Sequence, residues 1–157
     1  MHIDPATQIH FSSKRVPQSG LTKRQGEKTL ADAREYRIAI LEDELLVAWS
    51  LETSVEDMGY EVTGIFSNAD AVLSSLLRHP VDLVLMDINL GGGMDGVDAA
   101  RQIAAASSAR IIFISAYADP EMQERIRQSV PAALLLRKPV QEAELGDAIT
   151  RSLAPQH

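Results

Sequence analysis

From Arg37 onward the chain alternates short runs of β-branched and leucine-rich residues with longer amphipathic stretches, and this alternation limits the fold more than any other feature. Short apolar runs between turn residues are typical of strands, and an apolar stripe at every third or fourth residue is typical of helices. The pattern predicts strands at 37–42, 60–67, 82–86, 110–115 and 132–137, and helices at 45–58, 69–79, 95–107, 120–128 and 141–153.

The helices carry start signals and apolar stripes of their own. Asn68 is placed to cap the second helix, and Asp119–Pro120 is a good cap and first position for the fourth. The stripes predict which residues face inward: Ala48, Leu51, Val55 and Met58 in the first helix, and Ala69, Val72, Leu73, Leu76 and Leu77 in the second.

Strict alternation of nearly unbroken apolar strands with helices predicts an α/β fold with helices on both faces of a parallel sheet. With five such units, the expected architecture is a doubly wound five-stranded parallel sheet of flavodoxin-like order 2-1-3-4-5 with five helices. In that order, the ligand crevice lies beyond the carboxyl ends of strands one and three.

Composition restricts the function. A chain of 157 residues, 45% of them hydrophobic, is long enough for one core. The chain has no cysteine, which excludes a disulfide framework, a thiol nucleophile and a cysteine-ligated metal, and which fits a reducing cytosol. No apolar run approaches the ~20 residues of a membrane span. We therefore expect a cytoplasmic protein that does not enter a membrane.

Charge separates the N-terminal segment from the rest of the chain. Residues 1–34 hold six Lys/Arg against three Asp/Glu, whereas residues 35–157 hold nine against nineteen, a balance of about −10 for the body. An acidic body argues against nucleic-acid binding, which requires clustered basic groups. Residues 1–34 lack an apolar period, so we expect a flexible extension there, a domain over 35–154 and a tail at 155–157. A docking arm, or residues foreign to the natural chain, are alternatives for the extension.

Chemically active side chains follow four of the predicted strands. Glu42 and Asp43 follow strand one, Asp87 follows strand three, Ser115 ends strand four, and Lys138 follows strand five. The carboxyl ends of parallel strands meet at one edge of the sheet, so these groups should share one pocket. Clustered carboxylates repel each other and favour a cation, and oxygen ligands with room for phosphate and water suit Mg²⁺. Asp87 would then be a nucleophile that forms an acyl phosphate.

Each group also has a purely structural explanation. The acidic run Glu42–Glu44 is typical of a helix entry, Ser115 of a turn hydroxyl, and Lys138 of a solvated surface residue. The joint spacing of one group at each of four strand ends is the specific signal.

With these motifs in view, residues 37–153 resemble a response-regulator receiver domain of two-component signalling. The segments ILEDE, LVLMDINL, MDGVDAA, FISAYAD and LLRKPV carry the resemblance, in the order and spacing of the family. It implies that Asp87 accepts a phosphoryl group from a histidine kinase or phosphotransfer protein, and that Ser115 and Lys138 contact the phosphoryl oxygens. It also implies an acidic metal site of Glu42, Asp43, Asp87 and the backbone carbonyl of Asn89, of which Asp43, Asp87 and that carbonyl would ligate Mg²⁺. Finally, it implies a cis Lys138–Pro139 bond.

Three departures from the common receiver pattern bear on the expected readout. The loop NLGGGMDG is about one residue longer than the usual form and has glycines where a proline is common, the switch hydroxyl is serine, and Leu135 stands where many receivers have Tyr or Phe. We therefore expect Ser115 and Tyr117 to form the switch, with Leu135 remaining packed. Asn89 and Ala116, together with Tyr117, flank the pocket and are expected to tune phosphoryl hydrolysis.

Other classes remain as alternatives. A receiver that is not phosphorylated could serve as a docking module. A phosphohydrolase of the haloacid-dehalogenase type needs a second aspartate two residues after the nucleophile, where this chain has Asn89, which cannot shuttle a proton. A flavin-binding flavodoxin-like protein is disfavoured because three carboxylates would repel the flavin phosphate.

Only the residues APQH follow Leu153, so we expect a receiver without an output domain. Such a chain is not an enzyme that turns over outside substrates. It would signal through contact with a downstream protein target or by phosphorelay, and it could form a homodimer.

Overall fold

The computed structural model describes residues 8–10, 36–91 and 94–155. Within these ranges the chain forms a sheet flanked by helices. The strands are β1 (Gln8–His10), β2 (Arg37–Leu41), β3 (Glu61–Phe66), β4 (Leu83–Asp87), β5 (Arg110–Ser115) and β6 (Leu134–Arg137), and the helices are α1 (Leu45–Asp57), α2 (Ala69–Arg78), α3 (Gly96–Ala106), α4 (Pro120–Ser129) and α5 (Glu142–Leu153).

The strands lie in the order β1-β3-β2-β4-β5-β6. The neighbouring pairs β3–β2, β2–β4, β4–β5 and β5–β6 are all parallel. In the register of these strands Ile38 lies beside Leu83, and Met86 lies beside Phe113. The five parallel strands therefore have the predicted 2-1-3-4-5 order, which confirms the doubly wound fold. In this order β2 and β4 are neighbours, and the chain leaves them towards opposite faces of the sheet.

The core lies in two layers, one on each face of the sheet. Every residue of β4 is buried, because alternate side chains point to opposite faces and both faces are covered by helices. On one face Leu41, Met86 and Phe113 pack with side chains from α2, α3 and α4. On the other face Ile40 and Leu85 pack with side chains from α1 and α5.

Helix starts follow the capping signals in the sequence. Asn68 Oδ1 accepts a hydrogen bond of 2.9 Å from the N–H of Ala71. Asp119 Oδ1 accepts one of 2.8 Å from the N–H of Met122, with Pro120 in the first turn of α4. At the end of α1, Gly59 has a φ of 90°, a left-handed conformation that glycine adopts without steric cost. Asn68 and Asp119 thus mark where α2 and α4 begin, and Gly59 follows the end of α1.

One predicted inward position differs from the structure. Leu77 is 81% exposed, because the buried stripe of α2 is formed by Ala69, Val72 and Leu76 and the next residue lies about 100° further round the helix. Met58, which follows the last residue of α1, is partly buried and packs against the core, in agreement with the prediction.

The strand β1 was not predicted from the sequence. It pairs antiparallel with β3, with Gln8 beside Phe66 and His10 beside Ile65. A three-residue strand is too short to produce a recognisable alternation of apolar and polar residues. The predicted flexibility of residues 1–34 otherwise concerns residues outside the described ranges.

None of the described helices combines the length and the apolar character needed to cross a bilayer, and the longest, α1, has 13 residues.

Candidate functional site

The carboxyl ends of β2, β4, β5 and β6 bring the predicted site residues to one edge of the sheet. Asp87 is the last residue of β4 and Ser115 the last of β5, while Glu42 and Lys138 directly follow β2 and β6. Backbone hydrogen bonds hold these ends in register. The N–H of Glu42 donates to Phe66 O at 2.9 Å, and the N–H of Lys138 donates to Ser115 O at 2.9 Å.

Three carboxylates form the centre of this site. One oxygen from each of Glu42, Asp43 and Asp87 lies within 4.8 Å of the other two. Glu42 is 1% exposed and Asp87 6%, whereas Asp43 lies at the solvent-facing side. Two carboxylates about 5 Å apart repel by roughly 3 kcal/mol at an effective dielectric constant of 20. The cluster is therefore stabilised by positive charge, and its all-oxygen character suits a hard divalent cation.

Lys138 supplies part of that positive charge. Its Nζ lies 2.9 Å from Glu42 Oε2 and 3.3 Å from Asp87 Oδ2. Its side chain is only 20% exposed, so the ion pairs are weakly screened by water. One ammonium cannot balance three carboxylates, which leaves the site with a net negative charge.

The burial of this cluster changes the acidity of its members. Burial raises the pKa of Glu42 above its ordinary value and outweighs the hydrogen bond from Lys138, which acts to lower it. Burial acts to lower the pKa of Lys138, but hydrogen bonds and charge from Glu42 and Asp87 outweigh it, so that pKa is raised. Lys138 therefore stays protonated at neutral pH, and the ionised form of Glu42 gains from any further cation.

Backbone amides orient the two aspartates. The N–H of Asn89 donates to Asp87 Oδ1 at 3.0 Å, and the N–H of Gly91 donates to Asp43 Oδ2 at 3.1 Å. The loop that follows β4 thus contacts both side chains, although the side chain of Asn89 is exposed. Glu42 is oriented separately, because its Oε1 accepts a 3.1 Å hydrogen bond from the N–H of Glu44.

Ser115 is fully buried at the end of β5, and its hydroxyl bonds to its own loop. The hydroxyl donates to Tyr117 O at 2.6 Å and accepts from the N–H of Tyr117 at 3.2 Å. The ring of Tyr117 projects outward, since the residue is 80% exposed, and Ala116 is exposed beside it. On β6, Leu135 is partly buried against the core, and the Lys138–Pro139 peptide bond is cis.

Two features of the site were not singled out from the sequence. Gly96, the first residue of α3, packs so closely on β4 that a Cβ there would lie 2.5 Å from Asp87 O and 2.7 Å from Ile88 Cα. Asp95 caps α3 and pairs with Arg125 on α4. The Asp95–Gly96 pair at a helix start is the sequence signal that could have indicated the close packing of Gly96. No local sequence pattern links Asp95 to a residue of α4.

A family comparison agrees with this geometry. The model of the response regulator receiver domain matches residues 38–150. This chain belongs to the response regulator receiver family. The receiver domain is a signalling module of two-component systems, so the resemblance inferred from the sequence motifs is confirmed.

Among curated relatives, the receiver is 34% identical over 125 residues to the transcriptional regulatory protein PdtaR of Mycobacterium tuberculosis, a match that covers 79% of this chain and 60% of that protein. It is 35% identical over 135 residues to the phyllosphere-induced regulator PhyR of Methylorubrum extorquens, which covers 85% of this chain and 49% of that protein. The chain thus spans between half and three-fifths of the length of these relatives.

Solved structures agree on the fold. The signal receiver domain of a modulated diguanylate cyclase from Desulfovibrio desulfuricans superposes with a TM-score of 0.70 at 33% identity, covering 75% of this chain and 93% of that domain. The receiver domain of PhyR from Erythrobacter litoralis gives a TM-score of 0.68 at 29% identity, covering 78% and 96%.

Proposed function

We propose that this receiver is a phosphorylation-dependent signalling switch in which Asp87 accepts a phosphoryl group from a histidine kinase or a phosphotransfer protein. The supporting observation is the contact between Asp87 Oδ2 and the Lys138 ammonium, 3.3 Å apart, inside the cluster of three carboxylates. A nucleophilic carboxylate beside a fixed cation and a site for a second cation is the arrangement that phosphoryl transfer requires.

In the proposed transfer, an oxygen of Asp87 forms a bond to phosphorus as the phosphorus–nitrogen bond of a phosphohistidine breaks. The electron pair of the broken bond stays on the imidazole nitrogen, which takes up a proton, and Asp87 becomes an acyl phosphate. Asp43, Asp87 and the backbone carbonyl of Asn89 would hold Mg²⁺, and the ion would supply positive charge to neutralise the phosphoryl oxygens. The side chains fit this ion because Asp43 and Asp87 offer carboxylate oxygens within 4.8 Å of each other, with Asp43 at the solvent-facing side.

Lys138 and Ser115 would contact the phosphoryl oxygens. Lys138 already lies beside Asp87, so its ammonium can reach a group attached there with little movement. The Ser115 hydroxyl must first leave Tyr117 O, its present acceptor. We propose that this exchange carries the signal, because it changes the loop that presents the exposed Tyr117 to a downstream protein. Asn89 and Ala116, at the mouth of the pocket, would tune hydrolysis of the acyl phosphate.

The alternative functions are less well supported by the site. A docking module without phosphorylation would not require Lys138 to be held between Glu42 and Asp87. A phosphohydrolase would need a general acid two residues after the nucleophile, and Asn89 offers only its backbone N–H to Asp87.

A phosphorylation experiment with the whole chain tests the proposal. Incubation with Mg²⁺ and either acetyl phosphate or phosphoramidate should add one phosphoryl group per molecule, measured by intact-mass spectrometry. Chelation of Mg²⁺ should prevent the addition, because the carboxylate cluster repels an anionic donor. A chain that gains no mass with either donor, or that gains it equally well without metal, would contradict the proposed switch.

Mg²⁺ should also stabilise the folded chain. An ion that binds only the native state adds about 1.4 kcal/mol when its free concentration is tenfold above the dissociation constant, so millimolar Mg²⁺ should raise the Tm by several degrees. Asp43→Ala should remove most of this increase by deleting a ligand. It should raise the stability of the metal-free chain, because it also deletes a repulsive charge.

The matched control is Asp57→Ala, which removes an exposed acid at the opposite end of α1 from the site and should leave the response to Mg²⁺ intact. An Asp43→Ala variant that responds to Mg²⁺ as the unmodified chain does would show that the ion binds elsewhere.

A further inference from the structure

An ion-pair cluster joins the first turn of α3 to the middle of α4. The guanidinium of Arg125 lies 2.7 Å from Asp95 Oδ2 and 3.2 Å from Asp98 Oδ1. Asp95 has a second role as the cap of α3, since its Oδ1 accepts the N–H groups of Val97 and Asp98 at 2.9 and 3.0 Å. One carboxylate therefore anchors both the start of α3 and a side chain of α4.

The α3 end of this cluster is fixed to the backbone of Asp87. The N–H of Gly96 donates to Ile88 O at 3.1 Å, and the missing Cβ of Gly96 lets α3 lie directly on the carbonyl of Asp87. Asp95 is the neighbour of Gly96, so its position follows that of the Asp87 backbone.

The α4 end of the cluster is connected to the loop that begins at Ser115. Four residues, 116–119, separate β5 from α4, and hydrogen bonds join this loop to the helix. Asp119 caps α4, and the side chain of Gln123 donates to Ala118 O at 2.8 Å. Because this loop is short and bonded to the helix, a movement of Ser115 can be passed on to the start of α4.

Few residues of α4 are buried in the core. Ile126 is the one buried residue within this helix, Val130 is buried directly after it, and Met122 is partly buried against the same core layer. By comparison, α5 buries Leu145, Ala148, Ile149 and Ser152. The contacts of Arg125 therefore add to a modest buried surface in holding α4 against α3.

We propose that Arg125 is a positioning residue that latches α4, and with it the loop of Ser115, in the resting arrangement. The proposal rests on the proposed function, because it assigns the latch a role in phosphoryl binding. Under it, the movement of the Ser115 hydroxyl away from Tyr117 displaces α4 and strains or breaks the pairs of Arg125 with Asp95 and Asp98. The latch therefore opposes the phosphoryl-bound arrangement, and its loss favours that arrangement.

The size of the effect follows from the exposure of the pair. The side chains of Arg125 and Asp95 are 38% and 42% exposed, so solvent screens their attraction. The coupling of such a pair corresponds to about a two- to fivefold change in an equilibrium constant. Because coupling is reciprocal, removal of the latch should increase the affinity for a phosphoryl analogue by the same factor.

The test compares Arg125→Gln with Arg127→Gln. Arg127 lies on the same helix, but it pairs with Glu124 of its own helix and does not reach α3. Titration of each full-length variant with beryllofluoride in the presence of Mg²⁺ should show affinity raised about two- to fivefold by Arg125→Gln and unchanged by Arg127→Gln. Arg125→Lys, which keeps the charge, should lie closer to the unmodified chain.

Hydrogen exchange without any phosphoryl analogue tests the latch independently of the proposed function. Arg125→Gln should increase exchange in residues 115–129, and Arg127→Gln should not do so beyond its own turn. Equal affinity and equal exchange in the two variants would overturn the latch, and so would a lower affinity in Arg125→Gln, as expected if Arg125 only supports the fold. Failure of beryllofluoride to bind the unmodified chain would overturn the proposed function and the coupling, whereas the exchange result would still report whether Arg125 tethers α4.

Discussion

We expect Asp87→Asn to leave no detectable incorporation of phosphoryl from acetyl phosphate, under conditions in which the unmodified chain should gain one group per molecule. The substitution keeps the shape of the side chain and an oxygen able to accept the N–H of Asn89. It removes the negative charge that makes the oxygen a nucleophile, and a neutral amide oxygen does not form a stable phosphoryl product. Intact-mass spectrometry over a time course measures the loss.

The neighbouring acids are poorly placed to replace Asp87. Glu42 is 1% exposed, against 6% for Asp87, so a phosphoryl donor reaches it less easily. Asp43 is exposed, but it lacks the contact with a fixed cation that Asp87 has. The ammonium of Lys138 contacts Glu42 and Asp87.

Asp70→Asn is the matched control, because it makes the same chemical change at an exposed acid in the first turn of α2. It should take up phosphoryl as the unmodified chain does. An Asp87→Asn variant that still gains mass would transfer the acceptor role to another residue, with Asp43 the first to examine by peptide mapping.

Gly96→Ala should lower the free energy of unfolding by about 2 kcal/mol or more, the cost expected when an added methyl group forces packed backbone to move. The new Cβ would lie 2.5 Å from Asp87 O, 2.7 Å from Ile88 Cα and 3.0 Å from Ile88 O. All three atoms belong to the backbone, so no side-chain rotation can relieve the overlap, and α3 must move away from β4. Urea denaturation followed by circular dichroism measures the change.

Gly146→Ala provides the contrast. A Cβ at this position in α5 would meet only the flexible side chain of Met58, at 3.6 Å or more, which is ordinary van der Waals contact. Alanine is favoured over glycine inside a helix by roughly 0.5–1 kcal/mol, so this variant should be slightly more stable than the unmodified chain. Equal effects of the two substitutions would contradict the close packing of α3 on Asp87.

The architecture was predictable because its signals are local or periodic. The central strands β2, β4 and β5 are short apolar runs buried on both faces, and Asn68 and Asp119 mark helix starts by their chemistry. The site residues could be grouped in advance because parallel strands bring their carboxyl ends to one edge, which places Glu42, Asp87 and Lys138 together.

Most of the features that could not be predicted depend on distances between segments far apart in the chain. Glu42 and Asp43 are adjacent acids, and the sequence does not indicate which of them is buried. The structure buries Glu42 and exposes Asp43. The ion pair of Lys138 with Glu42 joins residues 96 positions apart. Leu77 is a local exception, because the buried stripe of α2 is narrower than its run of apolar residues indicates.

The two hydrogen bonds between Ser115 and Tyr117 also bear on how complete the proposed switch can be. The hydroxyl has a single hydrogen, which it now gives to Tyr117 O at 2.6 Å. Giving that hydrogen to a phosphoryl oxygen exchanges one acceptor for another, so the gain is only the difference between a charged and a neutral acceptor, about 1 kcal/mol. That difference corresponds to about a fivefold change in the ratio of two conformers, whereas a shift from 1:99 to 99:1 needs about 5.5 kcal/mol. The hydroxyl alone would thus produce a graded response, and most of the bias towards the active conformer would have to come from Lys138, from the metal and from the bound target.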